Sequence, residues 1–257
     1  MLEADVLNYP TRVMTGDQRD EFFANGSIVL QGLIDKQWLH HLRQAMAEII
    51  EKSRQITEND PAYVLEDGHC AKSPALRRLN NPVCQHPDFW RFTSESAMVK
   101  VAADLCGPDV KFYHSKLNFK WAEGGEEVKW HQDISFWPHT NYSPLTIGTY
   151  LYDVGPDQGP LGVVPGSHKG ELHSQYNAKG QWTGCLGDED LANVDMASAK
   201  FLTGPAGSVT IHNCRVIHGS AINYSDAGRP LLLNVYSAAD ACPYTANPLK
   251  TRLEGEI

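Results

Sequence analysis

Residues 130–137 read WHQDISFW, and this stretch carries the pattern from which the rest of the chain is interpreted. His131 and Asp133 lie two residues apart, and side chains two apart on a β-strand project from the same face. The spacing therefore predicts an imidazole and a carboxylate that point together from one wall of a sheet. His218, in the segment 217–220, is a third candidate ligand far downstream.

A His-x-Asp pair is common by chance, so the metal prediction depends on the residues that accompany it. Two histidines and one carboxylate, with other positions left open, are the ligand set of non-haem Fe(II) oxygenases. Arg229 follows His218 by 11 residues and begins the apolar run 231–233. A guanidinium that enters a buried strand needs an anionic partner, and arginine binds a carboxylate bidentately. The combination suggests a cosubstrate with a chelating end and a distal carboxylate, which is the shape of 2-oxoglutarate.

With these residues the chain resembles the phytanoyl-CoA dioxygenase family, which also contains the ectoine hydroxylases. Asn118, 13 residues before His131, is similar to an asparagine that contacts 2-oxoglutarate in ectoine hydroxylases. Trp137 matches an aromatic residue six positions after the first ligand in those enzymes. The segment VPGSH at 164–168 resembles the Pro-Gly-Ser-His turn of the family, and the resemblance covers roughly residues 15 to 240.

The resemblance implies a mainly β protein with N-terminal helices, built on a double-stranded β-helix of the cupin-type jelly roll. It implies an Fe(2+) site with ligands His131, Asp133 and His218, and it implies O2 as oxidant. The 5-carboxylate of the co-substrate 2-oxoglutarate would bind Arg229 and Ser220, with a further contact from Asn118. Related halogenases have a small residue where Asp133 stands, so hydroxylation is favoured over halogenation. Desaturation, cyclisation or epoxidation by the same chemistry stay open.

The substrate is expected to be a small polar metabolite, such as an amino acid or a natural-product intermediate. Aromatic residues after the first ligands could form one wall of its pocket, although about half of them would be expected to pack in the core. Cationic or polar side chains could anchor it, although Arg77 and Arg78 are expected first as surface charges, with entry of one of them into the mouth of the pocket as the alternative. The candidate substrate residues are Trp137, Phe136, His139, Lys116, His114 and Arg78.

Composition limits the classes of protein that are possible. The 257 residues have 42% hydrophobic content and a mean hydropathy of −0.38, which is typical of a globular protein. The net charge of −9 argues against a nucleic-acid surface, although a local basic patch is still possible. No apolar run approaches the roughly 18 residues of a membrane span, and residues 1–10 lack the apolar centre of a signal peptide. We expect a cytoplasmic monomer or homodimer that binds a small molecule.

Periodicity predicts helices near 16–24, 36–53 and 87–105, and no clear element in 54–88. Thr15 with Gln18 should cap the first helix, and Asp35 the second. Strands are predicted at 27–30, 110–121, 146–152, 208–212, 214–218 and 231–237, besides the one around Trp130. Alternate residues of 110–121 share one face, and the inner part of this face is expected to line a cavity; they are Phe112, His114, Lys116, Asn118 and Lys120. A single domain is expected, with a helical brace over about 15–107 and a jelly-roll core over about 109–240. The insertion 170–198 is polar and rich in glycine, as functional or disordered loops are.

Two other classes of protein stay open. One is a cupin-type metalloenzyme that does not use 2-oxoglutarate, and the other is a non-catalytic binding module on the same fold. Arg229 and Ser220 argue against the first, since such an enzyme has no need of a carboxylate clamp at this spacing. An intact ligand set argues against the second. The six cysteines form no Cys-x-x-Cys pair and are expected to be reduced thiols.

Overall fold

Most of the helices lie in the N-terminal part of the chain, and most of the strands follow them. The computed structural model describes residues 2–244. Its helices are α1 Glu3–Val6, α2 Gly16–Asn25, α3 Lys36–Lys52, α4 Pro87–Glu95, α5 Ala97–Cys106 and α6 Asp188–Ala192. Its strands are β1 Ser27–Leu30, β2 Tyr63–Leu65, β3 Leu76–Asn80, β4 Val110–Asn118, β5 Val128–His131, β6 Leu145–Tyr150, β7 Leu161–Val163, β8 Lys200–Leu202, β9 Val209–Asn213, β10 His218–Ser220 and β11 Leu231–Ala238.

The strands form two antiparallel sheets. The larger has the order β1-β9-β6-β11-β4-β3-β2, and the smaller has the order β5-β10-β7-β8. Most neighbouring strands are far apart in sequence, as in a jelly roll, where two sheets replace one long open sheet. The predicted fold class is confirmed. None of the helices in the described range is long and apolar enough to cross a membrane.

The main apolar core lies between the helices and one face of the larger sheet. Leu42 and Ile49 of α3, Phe92 of α4 and Met98 of α5 are fully buried in one cluster with Leu232 of β11. The neighbours of Leu232 on β11, Leu231 and Leu233, point to the other face and line a cavity. Alternation along β11 therefore gives the sheet one face for the core and one for a site.

The predicted helix caps are present. Thr15 accepts a hydrogen bond from the Gln18 amide at 3.2 Å, and the Gln18 side chain accepts one from the Thr15 amide at 2.9 Å. Asp35 accepts one from the Trp38 amide at 2.9 Å. Gly26 ends α2 with φ of 74°, where a Cβ would meet the ring of His168. Glycine suits this position both for its backbone and for the close approach of that ring.

Four of the predicted elements are wrong in detail. The helix expected over 87–105 is two helices, because Ser96 is extended and caps the second through the Met98 amide at 3.3 Å. The stretch 54–88 contains β2 and β3. Residues 214–217 form a turn and not a strand, so His218 begins β10 after the chain has left β9. Strand β4 ends at Asn118, before Trp121.

Candidate active site

Three candidate ligands meet where the smaller sheet ends. His131 is the last residue of β5 and lies directly opposite His218 on β10. Asp133 begins a 3-10 turn after β5, so the expectation that it shares a strand with His131 is wrong. Asp133 Oδ1 nevertheless lies 3.5 Å from His131 Nε2 and 3.8 Å from His218 Nε2. The three ligating atoms all lie within 4.8 Å of one another, which is a spacing that one metal ion can bridge.

Backbone carbonyls set the tautomer of both imidazoles. His131 Nδ1 lies 2.8 Å from the Lys129 carbonyl oxygen, and His218 Nδ1 lies 2.9 Å from the Val216 carbonyl oxygen. A carbonyl only accepts, so each Nδ1 carries the proton and each Nε2 carries a lone pair. Hydrogen bonding of the other ring nitrogen is how metal-binding histidines are usually oriented. The donor set therefore fits a divalent metal.

The second oxygen of Asp133 is held by the protein. Asp133 Oδ2 accepts hydrogen bonds from Thr146 Oγ1 at 3.0 Å and from His212 Nε2 at 3.3 Å. Burial alone would raise the pKa of Asp133, but His218 and the other adjacent imidazoles lower it well below its ordinary value. Burial and the neighbouring imidazoles lower the pKa of His218. An ionised carboxylate and neutral imidazoles are the forms that bind metals.

A cavity of ≈ 440 Å³ opens from this cluster and is lined by strands of both sheets. All of the predicted site residues except His139 line it. His139 is buried behind Trp137, where its Nδ1 lies 2.7 Å from the Trp137 carbonyl oxygen and its ring lies against Tyr113. Trp137 itself is 6% exposed and contacts His114, so it forms part of the wall.

Arg229 lies at the other end of this cavity, two residues before β11 begins. It is 3% exposed, and its Nη2 donates to the Gly159 carbonyl at 2.8 Å. Lys120 exchanges backbone hydrogen bonds with Arg229, and its ammonium donates to the carbonyls of Ser220 and Ala221. Within residues 2–244, no acidic side chain lies within 4.0 Å of either cation. Burial lowers the pKa of Arg229 to about 10, and burial with the charge of Arg229 lowers that of Lys120 to about 7.

Strand β4 supplies the wall between the two ends. His114, Lys116 and Asn118 alternate into the cavity, as predicted from their spacing. Phe112 does not, because a bulge opposite Val235 and Tyr236 shifts the register and sends Phe112 to the helical core. Burial and the charge of Lys116 lower the pKa of His114 to about 3, so His114 is neutral.

The insertion 170–198 contributes to the mouth of the cavity. Thr183, Gly184 and Cys185 line it, and Trp182 packs edge-on against Phe136, which is 47% exposed. Gln132, between the two first ligands, fixes the insertion: its Nε2 donates to the Glu171 carbonyl at 3.1 Å and its Oε1 accepts from the His173 amide at 2.9 Å.

The sequence places Lys120 on the same face as 114–118 but gives it no role. His212 lies six residues before His218, which favours a core position or a role in support of the ligands over a fourth ligand, and its contact with Asp133 is such a supporting role. Sequence reasoning missed Thr146, because it reaches Asp133 only through the pairing of β6 with β9, which puts it directly opposite His212.

Comparisons with known proteins give a consistent family assignment. The family model described as phytanoyl-CoA dioxygenase matches residues 22–231. The chain is 30% identical over 235 residues to a probable alpha-ketoglutarate-dependent hypophosphite dioxygenase of Stutzerimonas stutzeri, covering 90% of this chain and 81% of the relative. It is 28% identical to the L-proline trans-4-hydroxylase of Streptomyces griseoviridis, covering 91% and 90%. The crystal structure of EctD from S. alaskensis with 2-oxoglutarate and 5-hydroxyectoine matches with a TM-score of 0.72 at 25% identity, covering 88% of this chain and 76% of EctD.

Proposed function

The chain belongs to the phytanoyl-CoA dioxygenase family, and on this premise we propose that it is an Fe(II)- and 2-oxoglutarate-dependent dioxygenase that hydroxylates a C–H bond of a small molecule. The observation that carries the proposal is the layout of one cavity. His131, Asp133 and His218 converge at one end, and Arg229 lies at the other without an acidic partner among the described residues. A metal site and a carboxylate site in one cavity suit a chelating diacid.

In this proposal His131 Nε2, His218 Nε2 and Asp133 Oδ1 hold the iron. Thr146 and His212 keep the other oxygen of Asp133 turned away from the metal. When bound, iron and 2-oxoglutarate supply the oxidising chemistry, in which O2 is consumed, 2-oxoglutarate becomes succinate and CO2, and one oxygen atom is transferred to the substrate.

The residues of the cavity bind and orient the co-substrate. Arg229 binds the distal carboxylate, since its guanidinium can form paired hydrogen bonds with two carboxylate oxygens. Lys120 and Ser220 lie beside Arg229 and supply further charge and a hydroxyl. Asn118 donates to the co-substrate through its amide nitrogen, because its Oδ1 already accepts from Arg78 Nε at 3.1 Å. Apolar side chains of β11 keep water from this part of the cavity.

Relatives support a small substrate. These relatives include enzymes named for hypophosphite, ectoine and L-proline. Asp133 occupies the position that would have to be vacated for a halide, so we propose hydroxylation and not halogenation. Nothing in the described site favours an activity without 2-oxoglutarate, because Arg229 would then be a buried cation without a function.

We also propose that residues 1–257 act as one domain, a monomer or homodimer in the cytoplasm, without a nucleic-acid or membrane partner. The packing of α3, α4 and α5 on the sheet that lines the cavity supports a single unit. The net charge of −9 supports the absence of a nucleic-acid partner, and the six free cysteines suit a reducing compartment.

The test is succinate formation from 2-oxoglutarate by the Fe(II)-loaded protein, with and without a panel of small metabolites. We expect succinate to require both Fe(II) and O2 and to rise with the right metabolite. Asp133→Ala should reduce both iron affinity and turnover by more than ~100-fold, since even residues that only orient ligands contribute 10–100-fold. Asp188→Ala, at an exposed position of the insertion, is the control. Oxygen uptake without succinate would contradict the proposal and favour a cupin-type enzyme of another kind.

A further inference from the structure

Lys116 is a cation inside the candidate active-site cavity that the protein leaves without a partner. It lies on β4 between His114 and Asn118 and is largely buried. Within residues 2–244 its ammonium has no hydrogen bond and no acidic group within 4.0 Å. Burial lowers its pKa, and Arg78 lowers it further against the opposing effect of Asp133. A buried charge without a counterion is unfavourable, so a structure that keeps one is suited to an anion from outside.

Arg78 brings a second cation to the same place. It lies on β3 opposite Asn118, so it is diagonal to Lys116 on the neighbouring strand. Diagonal residues on paired strands are within reach of each other when their side chains are long. Its Nε donates to Asn118, and no acidic side chain of the described chain lies within 4.0 Å of its guanidinium. Arg77, the adjacent residue, differs because it is paired with Glu126 and Glu66.

The proposed co-substrate does not account for this second pair. Its distal carboxylate is assigned to Arg229, beside Lys120, and four residues of extended chain separate Lys120 from Lys116, about 13 Å. Lys116 and Arg78 therefore have no assigned anion. Lys116 lies near enough to Asp133 for that carboxylate to act on its pKa, so the pair faces the part of the cavity near the metal ligands, where a substrate has to lie.

We propose that Lys116 and Arg78 form an oxyanion subsite that binds the acidic group of the substrate. The substrate is then a small anion that carries a carboxylate or a phosphorus oxyanion. This inference rests on the proposed function, because it assigns the distal arginine to the co-substrate. The cavity of ≈ 440 Å³ has to hold the co-substrate as well, which limits the substrate to a small molecule. Neutral His114 and the Trp137 ring adjoin the subsite and leave it without a competing charge.

The test is calorimetric titration of the protein loaded with Fe(II) and 2-oxoglutarate, kept free of oxygen. Three probes of similar size distinguish a phosphorus oxyanion, a carboxylate and a neutral group. They are methylphosphonate, propionate and propan-1-ol. We expect one anion to bind per chain and the alcohol not to bind. Lys116→Met should weaken anion binding about 10–100-fold, since a hydrogen bond to a charged group contributes about 1.5–3 kcal/mol. Lys116→Arg should restore part of it.

Lys129→Met is the matched control, because Lys129 also lines this cavity but is exposed at its mouth. It removes the same charge and should leave the affinity unchanged. The subsite would be overturned if each anion bound wild type and Lys116→Met with the same affinity. It would also be overturned if neither anion bound wild type. Whichever anion binds identifies the acidic group.

The two proposals fail separately. Slow succinate formation by the wild-type protein without substrate reports on the metal and co-substrate. If wild type forms succinate while anion binding is insensitive to Lys116, the subsite is wrong and the dioxygenase stands. If wild type forms no succinate but metal-free protein still binds anions through Lys116, the dioxygenase is wrong.

Discussion

The two ends of the candidate active-site cavity differ in how the protein completes their hydrogen bonding. At the metal end, each ligand has a protein partner for the atom that does not face the metal: a carbonyl for each histidine, and Thr146 with His212 for Asp133. At the far end, the buried cations Arg229 and Lys120 have only backbone carbonyls. The metal end is organised before anything binds, while the far end is completed by the ligand.

This difference predicts that the largest effect of a single substitution is the loss of 2-oxoglutarate affinity when a cation at the far end is removed. Arg229→Met should raise the KM for 2-oxoglutarate by about 100-fold, since truncating one partner of a buried, hydrogen-bonded charge pair costs roughly 2–5 kcal/mol. Affinity for Fe(II) in the absence of 2-oxoglutarate should change little, because Arg229 contacts no metal ligand. The measurement is KM from succinate formation together with direct titration of Fe(II).

Arg77→Met is the control for that comparison. It removes a guanidinium that also lines the cavity but is already paired with Glu126 and Glu66. We expect its KM for 2-oxoglutarate to stay near that of wild type. A similar rise in both variants would show that overall positive charge, and not the placement of Arg229, determines co-substrate affinity.

The metal end should be less sensitive to loss of one partner, because two groups share the second oxygen of Asp133. Thr146→Val should weaken Fe(II) binding about 10-fold, at the low end of the 10–100-fold range for residues that orient metal ligands. His212→Phe should have an equal or larger effect, and the double variant should exceed either one. Titration of Fe(II) checks this, with the KM for 2-oxoglutarate as the quantity that should stay constant. Unchanged iron affinity in the double variant would contradict the proposed role.

Most of the candidate site could be predicted from the sequence because residue type carries the chemistry. His131, Asp133, His218 and Arg229 were proposed without knowing which strands pair, and the structure brings them to one cavity. The predictions failed where geometry depends on pairing or on a local hydrogen bond. His139 turns into the core through its contact with the Trp137 carbonyl, and the β4 bulge reverses the face of Phe112.

The helices show the same limit of prediction from sequence, because a local hydrogen bond sets where one of them ends. The apolar spacing over 87–105 continues through Ser96, so periodicity alone gives one helix. The break is set by the Ser96 hydroxyl, which caps α5 and competes with continuation of α4. The Ser96 cap therefore sets the boundary between α4 and α5, and the apolar pattern alone does not show it.

The smallest expected effect concerns pH and separates Lys120 from Arg229 at the far end. Burial, with the charge of Arg229, lowers the pKa of Lys120 from 10.5 to about 7 in the free protein, so its ammonium loses its proton as the pH rises through about 7. A bound carboxylate favours the charged form, so the affinity for 2-oxoglutarate should be constant below that pKa and should weaken above it. The slope is at most about tenfold per pH unit, and it ends where the pKa of the complex is reached. Arg229 stays charged throughout, because its pKa is about 10.

Titrating 2-oxoglutarate into Fe(II)-loaded protein between pH 6.5 and 8.5 should therefore show that the affinity falls a few-fold in wild type and stays constant in Lys120→Met. Equal slopes in the two proteins would assign the pH dependence to another group and leave Arg229 as the charge that sets co-substrate affinity at this end.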